Sequence, residues 1–252
     1  MSAERAYRVL YTRPEATPGF EQVLHEDGID VLRIPLIRIA PPESWQELDS
    51  ALAKIGSYDG VILTSIQAVR WFAGRMKERS IAADTLPAVH VVGAKTAVAA
   101  EAEGLQIEEL PSAWYGETLA KEIREVEGKR FLQPTSDIAR DELVQVIRER
   151  GGEVEQIAAY RTLPAEAGDL TKLRDAMDTG IECVAFFSPS AVRQFAAALP
   201  DWQQRDTLFA AIGTTTAEEI VNAGFTAGVV AEEQSAEALA RAIARAAIRD
   251  TL

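Results

Sequence analysis

Short apolar runs alternate with longer amphipathic segments along this chain. The apolar runs are rich in Val, Ile, Leu and Phe, a composition typical of buried strands. The segments between them repeat apolar residues every three or four positions, which predicts helices. Strands that alternate with helices indicate βαβ units and largely parallel sheets. The predicted strands are residues 8–12, 31–39, 60–65, 89–93, 129–134, 154–162, 183–188, 209–213 and 228–231.

The second half of the chain repeats the first. GVILTSIQAV at 60–69 matches CVAFFSPSAV at 183–192, and VVGAKTAVAAEAEGL at 91–105 matches AAIGTTTAEEIVNAGF at 210–225. A weaker match links the segments that begin with RVLYT and RFLQP. The offset is about 120 residues throughout. The sequence therefore predicts two copies of one α/β unit, each a small wound sheet.

Composition and charge narrow the classes of function. The chain has 252 residues, 47% of them hydrophobic, and a formal net charge of −13. This charge argues against a general nucleic-acid binder, because contacts with phosphates need clustered Lys and Arg. It also argues against a polybasic membrane-surface protein, and no apolar run approaches the ~20 residues that span a bilayer. We expect a cytoplasmic monomer without nucleic-acid or membrane partners.

Residues for metal or nucleophilic chemistry are few. The chain has one cysteine, Cys183, within an apolar run that favours a buried structural thiol. Its two histidines, His25 and His90, form no metal-ligand spacing with it. Neither histidine lies near a nucleophile-elbow sequence. The chain also lacks a P-loop and a G-x-G-x-x-G turn, which argues against a nucleotide site.

The turns that follow the predicted strands share small hydroxyl residues and glycines. Either these residues cap the next helix, or the helix starts together bind an anionic ligand. Pro14 and Pro189 are expected in the first turns of helices. The turns are Thr12-Arg13-Pro14, Thr64-Ser65, Gly93-Ala94-Lys95-Thr96, Thr135-Ser136-Asp137, Ser188-Pro189-Ser190 and Gly213-Thr214-Thr215-Thr216.

Few other side chains suggest a role in catalysis or ligand binding. Tyr160 lies towards the end of a predicted strand, where it either packs with its hydroxyl in water or donates a proton into a cleft. Arg13, Lys95, Arg140 and Arg161 are either partners for ligand carboxylates or solvated surface charges.

The ordered set of motifs resembles the uroporphyrinogen-III synthase family. The match covers almost the whole chain, although no single motif is diagnostic. The matching segments are GVILTSIQAV (60–69), VVGAKTA (91–97), FLQPTSDIARDEL (131–143), AAYRT (158–162), FFSPSAV (186–192), AAIGTTTAEEI (210–220) and SAEALARAI (235–243). Two positions depart from the family pattern, Ile66 and Thr214, and both could change the rigidity of a loop.

The resemblance implies an architecture that the repeat alone does not fix. It implies an α/β protein of two similar wound parallel-sheet domains joined by a two-stranded β linker, with the first domain discontinuous. The first domain is expected at residues 1–34 and 165–252, and the second at 40–158. The linker strands are expected at 35–39 and 159–164. Such a tether predicts hinge motion between the domains.

The resemblance also implies an activity. Family members cyclise hydroxymethylbilane, a linear tetrapyrrole with eight carboxylates, to uroporphyrinogen III with loss of water and inversion of ring D. The family uses no metal or organic cofactor, and the substrate can be handed over by hydroxymethylbilane synthase. Tyr160 matches the family's cleft tyrosine and is expected to be the catalytic acid. The residues expected to bind substrate are Arg13, Thr64, Ser65, Gly93, Lys95, Thr96, Arg140, Ser188, Ser190, Thr215 and Thr216.

Two other functions fit the same residues. The first is a two-lobed, non-catalytic binding module for a polycarboxylate or tetrapyrrole. The second is a family member that has lost the chemistry and serves in interaction or regulation. A pure binder would tolerate Phe at position 160, whereas a synthase that uses Tyr160 as an acid would not.

Overall fold

The structure, a computed structural model, describes residues 6–108, 116–139 and 141–250. The strands are β1 (Arg8–Tyr11), β2 (Asp30–Arg33), β3 (Ile37–Ala40), β4 (Gly60–Leu63), β5 (Ala88–Val91), β6 (Arg130–Ser136), β7 (Glu153–Pro164), β8 (Cys183–Phe186), β9 (Leu208–Ala211) and β10 (Val229–Val230). The helices are α1 (Pro18–Glu26), α2 (Gln46–Ala53), α3 (Ile66–Glu78), α4 (Ala94–Ala102), α5 (Gly116–Glu122), α6 (Glu142–Glu149), α7 (Ala167–Thr179), α8 (Pro189–Ala198), α9 (Thr214–Asn222) and α10 (Ala236–Asp250). Short 3₁₀ turns lie at Ile55–Ser57 and Ala83–Thr85.

The chain divides into two compact units. One contains residues 1–38 and 163–252, and the other contains residues 39–162. We call them unit 1 and unit 2. The chain passes from one to the other twice, at residues 38/39 and 162/163.

Unit 1 is built on a sheet of strand order β10-β9-β8-β1-β2 in which the paired strands are parallel. Successive residues of β1 face opposite sides of this sheet. Leu10 packs into one core cluster, and Val9 and Tyr11 pack into another. Helices therefore cover both faces, as expected for a parallel sheet.

Unit 2 is built on a sheet of strand order β3-β7-β6-β4-β5. The pairs β4–β5, β4–β6 and β6–β7 are parallel. Alternate residues of β4 again enter two clusters, with Val61 and Leu63 on one face and Ile62 on the other. The order β7-β6-β4-β5 corresponds to β2-β1-β8-β9 in unit 1, as the sequence repeat leads one to expect. The α/β fold with parallel sheets, predicted from the alternation of strands and helices, is confirmed.

One predicted strand is wrong. The run 31–39 is not a single strand, because it divides into β2 of the first sheet and β3 of the second. Pro35 lies at the break, where it has no N–H to continue a ladder of hydrogen bonds. The apolar pattern on both sides of Pro35 does not show that the two halves belong to different sheets.

Of the two prolines predicted in first helical turns, Pro14 and Pro189, one lies in such a turn and the other does not. Pro189 lies in the first turn of α8, as predicted. Pro14 does not begin a helix, since α1 starts at Pro18, and the prediction for Pro14 is therefore wrong. The chain needs the intervening residues to leave β1 and turn back over the sheet.

Tyr11 makes stability depend on pH. Its ring is fully buried and its hydroxyl donates a hydrogen bond to the Glu21 carboxylate. Burial, and then this bond, raise the pKa of Tyr11 from 10.0 to about 12. A tyrosine in the unfolded chain ionises near 10, so the contribution of Tyr11 is fully present below pH 10 and is lost as the pH rises towards 12.

We therefore expect the free energy of unfolding to fall between pH 10 and 12, and Tyr11→Phe to make this fall shallower. Urea denaturation of both proteins across this range measures the two slopes. Equal slopes would show that Tyr11 does not contribute.

Candidate active site

The end of β4 in unit 2 carries Thr64 and Ser65, which are both partly buried. Ser65 is the N-cap residue of α3, and its Oγ accepts a hydrogen bond from the Ala68 N–H at 3.0 Å. The same Oγ lies 3.2 Å from the Tyr160 hydroxyl. Ser65 therefore caps a helix and also holds the Tyr160 side chain in place.

Tyr160 lies in β7, where it pairs with Ser136 of β6 after a shift in register between Thr135 and Ser136. Its side chain is 8% exposed. Burial raises the pKa of Tyr160, and the nearby Asp137 carboxylate acts in the same direction, while the hydrogen bond to Ser65 opposes them. The hydroxyl is thus kept protonated at neutral pH, as a proton donor must be.

A small polar network fixes the end of β7 beside Tyr160. The Asp137 Oδ1 accepts hydrogen bonds from the Thr162 N–H and the Ser136 Oγ, each at 3.0 Å. The Ser136 and Thr162 hydroxyls lie 3.1 Å apart, and the Tyr160 carbonyl accepts from the Asp137 N–H at 3.1 Å. Sequence reasoning noted the Thr135-Ser136-Asp137 turn but missed its contact with Tyr160. The register shift pairs Ser136 with Tyr160 instead of Ala159.

The turns before α4 and α9 are built alike. Gly93 and Gly213 are their N-cap residues, and neither helix start has a side-chain cap. Lys95 and Thr215 are exposed in the first turns of these helices. By contrast, Thr96 and Thr216 are only 6% and 3% exposed. The exposed residues and the backbone amides are therefore what these turns offer to a ligand.

The two N-cap glycines differ in backbone conformation, and this leads to a prediction. Gly93 has φ of +79° and ψ of 151°, a region that side chains rarely adopt, whereas Gly213 is extended with φ of −178°. A Cβ at Gly213 would meet only the flexible Gln234 side chain, at 3.2 Å. We expect Gly93→Ala to lower the free energy of unfolding by about 1–3 kcal/mol. Gly213→Ala should cost less than about 1 kcal/mol.

Urea denaturation of the two variants measures this difference. Both substitutions replace a glycine at an N-cap, so the loss of capping preference is matched and the difference reports the backbone strain. Equal losses in the two variants would contradict the strain at Gly93.

Unit 1 has its own polar turns at the carboxyl ends of β1 and β8. Ser188 is the N-cap residue of α8 and accepts from the Ala191 N–H at 3.3 Å. Its Oγ lies 3.0 Å from the Ser190 Oγ. The Arg13 guanidinium lies over the ring of Phe187, 5.2 Å from its centroid, and donates to the Thr17 Oγ1 at 3.4 Å.

The other two cations considered as partners for ligand carboxylates are Arg140 and Arg161. Arg140 lies outside the described residues. Arg161, considered as a carboxylate partner, already pairs with Glu43 at 3.0 Å and donates to the Pro41 carbonyl. The geometry thus leaves Arg13 and Lys95 as the described cations that lie in the predicted turns.

One concave surface of unit 2 lies away from these turns. A cavity of about 360 Å³ opens near the amino ends of β4, β5 and β6, beside Asp59, His90 and Lys129. It touches none of the predicted site residues. Ligands of wound sheets bind outside the carboxyl ends of the strands, so we place the candidate site at the turns and not in this cavity.

The described residues contain neither a metal-binding cluster nor a membrane-spanning helix. No group of three or more His, Cys, Asp or Glu side chains in residues 6–108, 116–139 and 141–250 is arranged to hold a metal ion. Over the same ranges, no helix has the length and apolar character needed to cross a membrane.

The geometry defines a wound parallel α/β protein with polar turns at the carboxyl ends of its strands and a buried tyrosine beside them. A sequence model of the family described as uroporphyrinogen-III synthase HemD matches residues 19–241. The chain belongs to the uroporphyrinogen-III synthase family, and the resemblance seen in its motifs is confirmed. The enzyme that gives the family its name is a cyclising lyase of tetrapyrrole biosynthesis.

Individual relatives agree with this assignment. The chain is 29% identical over 235 residues to a uroporphyrinogen-III synthase of Chlorobaculum parvum, which covers 89% of this chain and 92% of that protein. It is 30% identical over 223 residues to one of Synechococcus elongatus, covering 82% and 83%.

Solved structures of two bacterial proteins show the same fold. The uroporphyrinogen III synthase of Thermus thermophilus, in a mutant form, superposes with a TM-score of 0.69 at 19% identity, covering 97% of this chain and 100% of that one. The Helicobacter pylori protein also gives 0.69, at 15% identity, covering 96% and 99%.

Proposed function

We propose that this protein converts hydroxymethylbilane to uroporphyrinogen III, with loss of water and inversion of ring D. Family membership over most of the chain supports the reaction. The observation that carries the catalytic part is the Tyr160 hydroxyl, buried and held 3.2 Å from Ser65 at the carboxyl end of a parallel sheet. This is a fixed, protonated donor among polar turns.

The role of Tyr160 is to assist departure of the substrate hydroxyl. The C–O bond of the hydroxymethyl group breaks, and the leaving oxygen takes the Tyr160 proton and departs as water. The pyrrole system is left as an azafulvenium cation, which the terminal ring attacks, and the proton released when the ring closes returns to the Tyr160 phenolate. Ser65 holds the tyrosine hydroxyl in position, and the Asp137 network fixes the end of the strand that carries it.

The turns serve mainly to hold the eight carboxylates of the substrate. Lys95 and Arg13 supply positive charge, and Thr64, Ser188, Ser190 and Thr215 supply hydroxyl groups. The amides beside Gly93, Thr96 and Thr216 supply donors at helix starts, where the helix dipole favours anions. Holding a single conformation of a flexible substrate is a positioning role, because the reaction without enzyme closes the ring without inversion.

The domain division is part of the same proposal. We assign the two wound sheets to a discontinuous first domain (1–34 and 165–252) and a second domain (40–158), with 35–39 and 159–164 as connecting strands. Support comes from β3 and β7, which are neighbours in one sheet at the two places where the chain passes between units. The Ala165 N–H also donates to the Leu36 carbonyl at 3.1 Å.

We also propose that the protein acts as a cytoplasmic monomer and receives its substrate from hydroxymethylbilane synthase. The net charge of −13 disfavours self-association.

Substrate consumption at low protein concentration tests the proposal. Hydroxymethylbilane is mixed with protein at one-hundredth of its concentration, and its disappearance is compared with the spontaneous rate. We expect many turnovers per protein molecule and a rate proportional to protein concentration. A non-catalytic binding protein would protect at most one equivalent of substrate and would not accelerate its loss.

A further inference from the structure

A hydroxyl in unit 1 is buried without a partner. Thr12 directly follows β1, and its side chain is 2% exposed. Its Oγ1 has no hydrogen-bond partner among the described residues, although its carbonyl accepts from the Leu36 N–H at 3.3 Å. Native proteins rarely bury a hydroxyl in this way, because its hydrogen bonds to water are lost and not replaced. Such an atom needs an explanation.

The alternation of side chains places this hydroxyl beside the start of α8. Strands β1 and β8 are parallel neighbours, with Tyr11 opposite Ala185. Leu10 and Phe186 point into the same core cluster, which also contains Ala191. Thr12 lies two residues after Leu10, and Ser188 lies two residues after Phe186, so both follow onto the same face. Thr12 is therefore directed towards the helix start that Ser188 caps.

The groups around Thr12 suit a carboxylate. The helix α8 has ten residues, and its start carries the positive end of the helix dipole. Arg13, the next residue, leaves β1 on the opposite face of the sheet, where it contacts the Phe187 ring and donates a long hydrogen bond to Thr17. A helix start and a hydroxyl without a partner among the described residues can both donate to an anionic oxygen.

We propose that Thr12 is a substrate-binding residue whose hydroxyl donates a hydrogen bond to one carboxylate of the bound tetrapyrrole. This inference rests on the proposed function, since it takes the substrate to be a polycarboxylate. The Oγ1 is buried in the free protein, so the side chains that cover it must move when substrate binds. The hydroxyl is unpaired without substrate and paired with it.

The isosteric change Thr12→Val tests this proposal. If the hydroxyl is unpaired in the free protein and donates to substrate in the complex, its removal should stabilise the free protein and weaken substrate binding. Removing an unpaired buried hydroxyl should raise the melting temperature of the free protein. Removing a donor to substrate should raise the KM for hydroxymethylbilane about tenfold, and should weaken binding of uroporphyrin III, the oxidised product, by a similar factor. Thr12→Ser keeps the hydroxyl and should leave KM within about twofold of the wild type. The control Thr171→Val, on an exposed part of α7, should change neither KM nor probe binding.

The outcomes are distinct. A higher melting temperature with unchanged KM and unchanged probe binding overturns the inference, since the hydroxyl is then unused in the complex. A lower melting temperature with unchanged probe binding also overturns it, because the hydroxyl then has a purely structural role.

Failure of the proposed function gives a different result. If the wild type binds uroporphyrin III but does not consume hydroxymethylbilane, the synthase function fails, and weaker probe binding by Thr12→Val still supports the role of Thr12. If the wild type does not bind the probe, the inference is overturned. If Thr12→Val does not fold, Thr12→Ala and Thr12→Ser are compared instead. Only the alanine variant should then lose affinity for uroporphyrin III.

Discussion

Tyr160→Phe is expected to lower the kcat for uroporphyrinogen III formation tenfold or more, which corresponds to about 1.4 kcal/mol or more in the activation barrier. The change removes one oxygen atom and keeps the ring that packs in the core of unit 2. The lost oxygen is the donor that Ser65 holds at 3.2 Å. Initial rates measured with hydroxymethylbilane generated in situ give kcat and KM separately.

Tyr58→Phe is the matched control for this experiment. Tyr58 is also buried in unit 2, but it precedes β4 and donates to the Glu155 carboxylate at 2.7 Å, near the amino ends of the strands and away from the end of β7 that carries Tyr160. Its loss should lower the melting temperature and leave kcat unchanged. An unchanged kcat in Tyr160→Phe would remove Tyr160 from the role of acid, whatever the control shows.

Phe195→Ala is expected to lower the free energy of unfolding by about 3–5 kcal/mol. Phe195 is fully buried at the centre of an aromatic cluster in unit 1. Its ring lies 5.4 Å from both Phe186 and Phe209 and 5.7 Å from Trp202, in edge-to-face arrangements. Alanine removes most of the apolar surface that these rings pack against, and the surrounding strands and helices can close the cavity only in part.

Urea denaturation followed by tryptophan fluorescence, to which Trp202 contributes, and by circular dichroism measures this loss. Phe195→Leu keeps most of the volume and should cost clearly less than Phe195→Ala. A cost below about 1 kcal/mol for Phe195→Ala would be that of an ordinary surface position and would contradict the central place of this ring.

Local patterns in the sequence were sufficient for much of the fold. Alternation along β4 placed Val61 and Leu63 on one face and Ile62 on the other. Gly28 and Gly224, which follow the ends of α1 and α9, have the positive φ that favours glycine after a helix. These features depend on neighbours in the chain, which is why they can be predicted from it.

Local patterns do not show features set by distant contacts. The break at Pro35 separates two strands of different sheets, and an apolar run does not show which sheet each half joins. Tyr160 and Ser65 are 95 residues apart, and their contact depends on the order of the strands and on a register shift in β6. The Thr12 hydroxyl is buried without a partner among the described residues, and no motif encodes this burial.

The isomer composition of the product tests the proposed function most directly. Hydroxymethylbilane is generated in situ, this protein is added, and the products are oxidised and separated chromatographically as uroporphyrins I and III. We predict mainly isomer III, in an amount that rises with protein concentration, because spontaneous closure gives only the uninverted isomer I. Isomer I alone, from protein shown to be folded, would contradict the assignment of ring inversion to this chain.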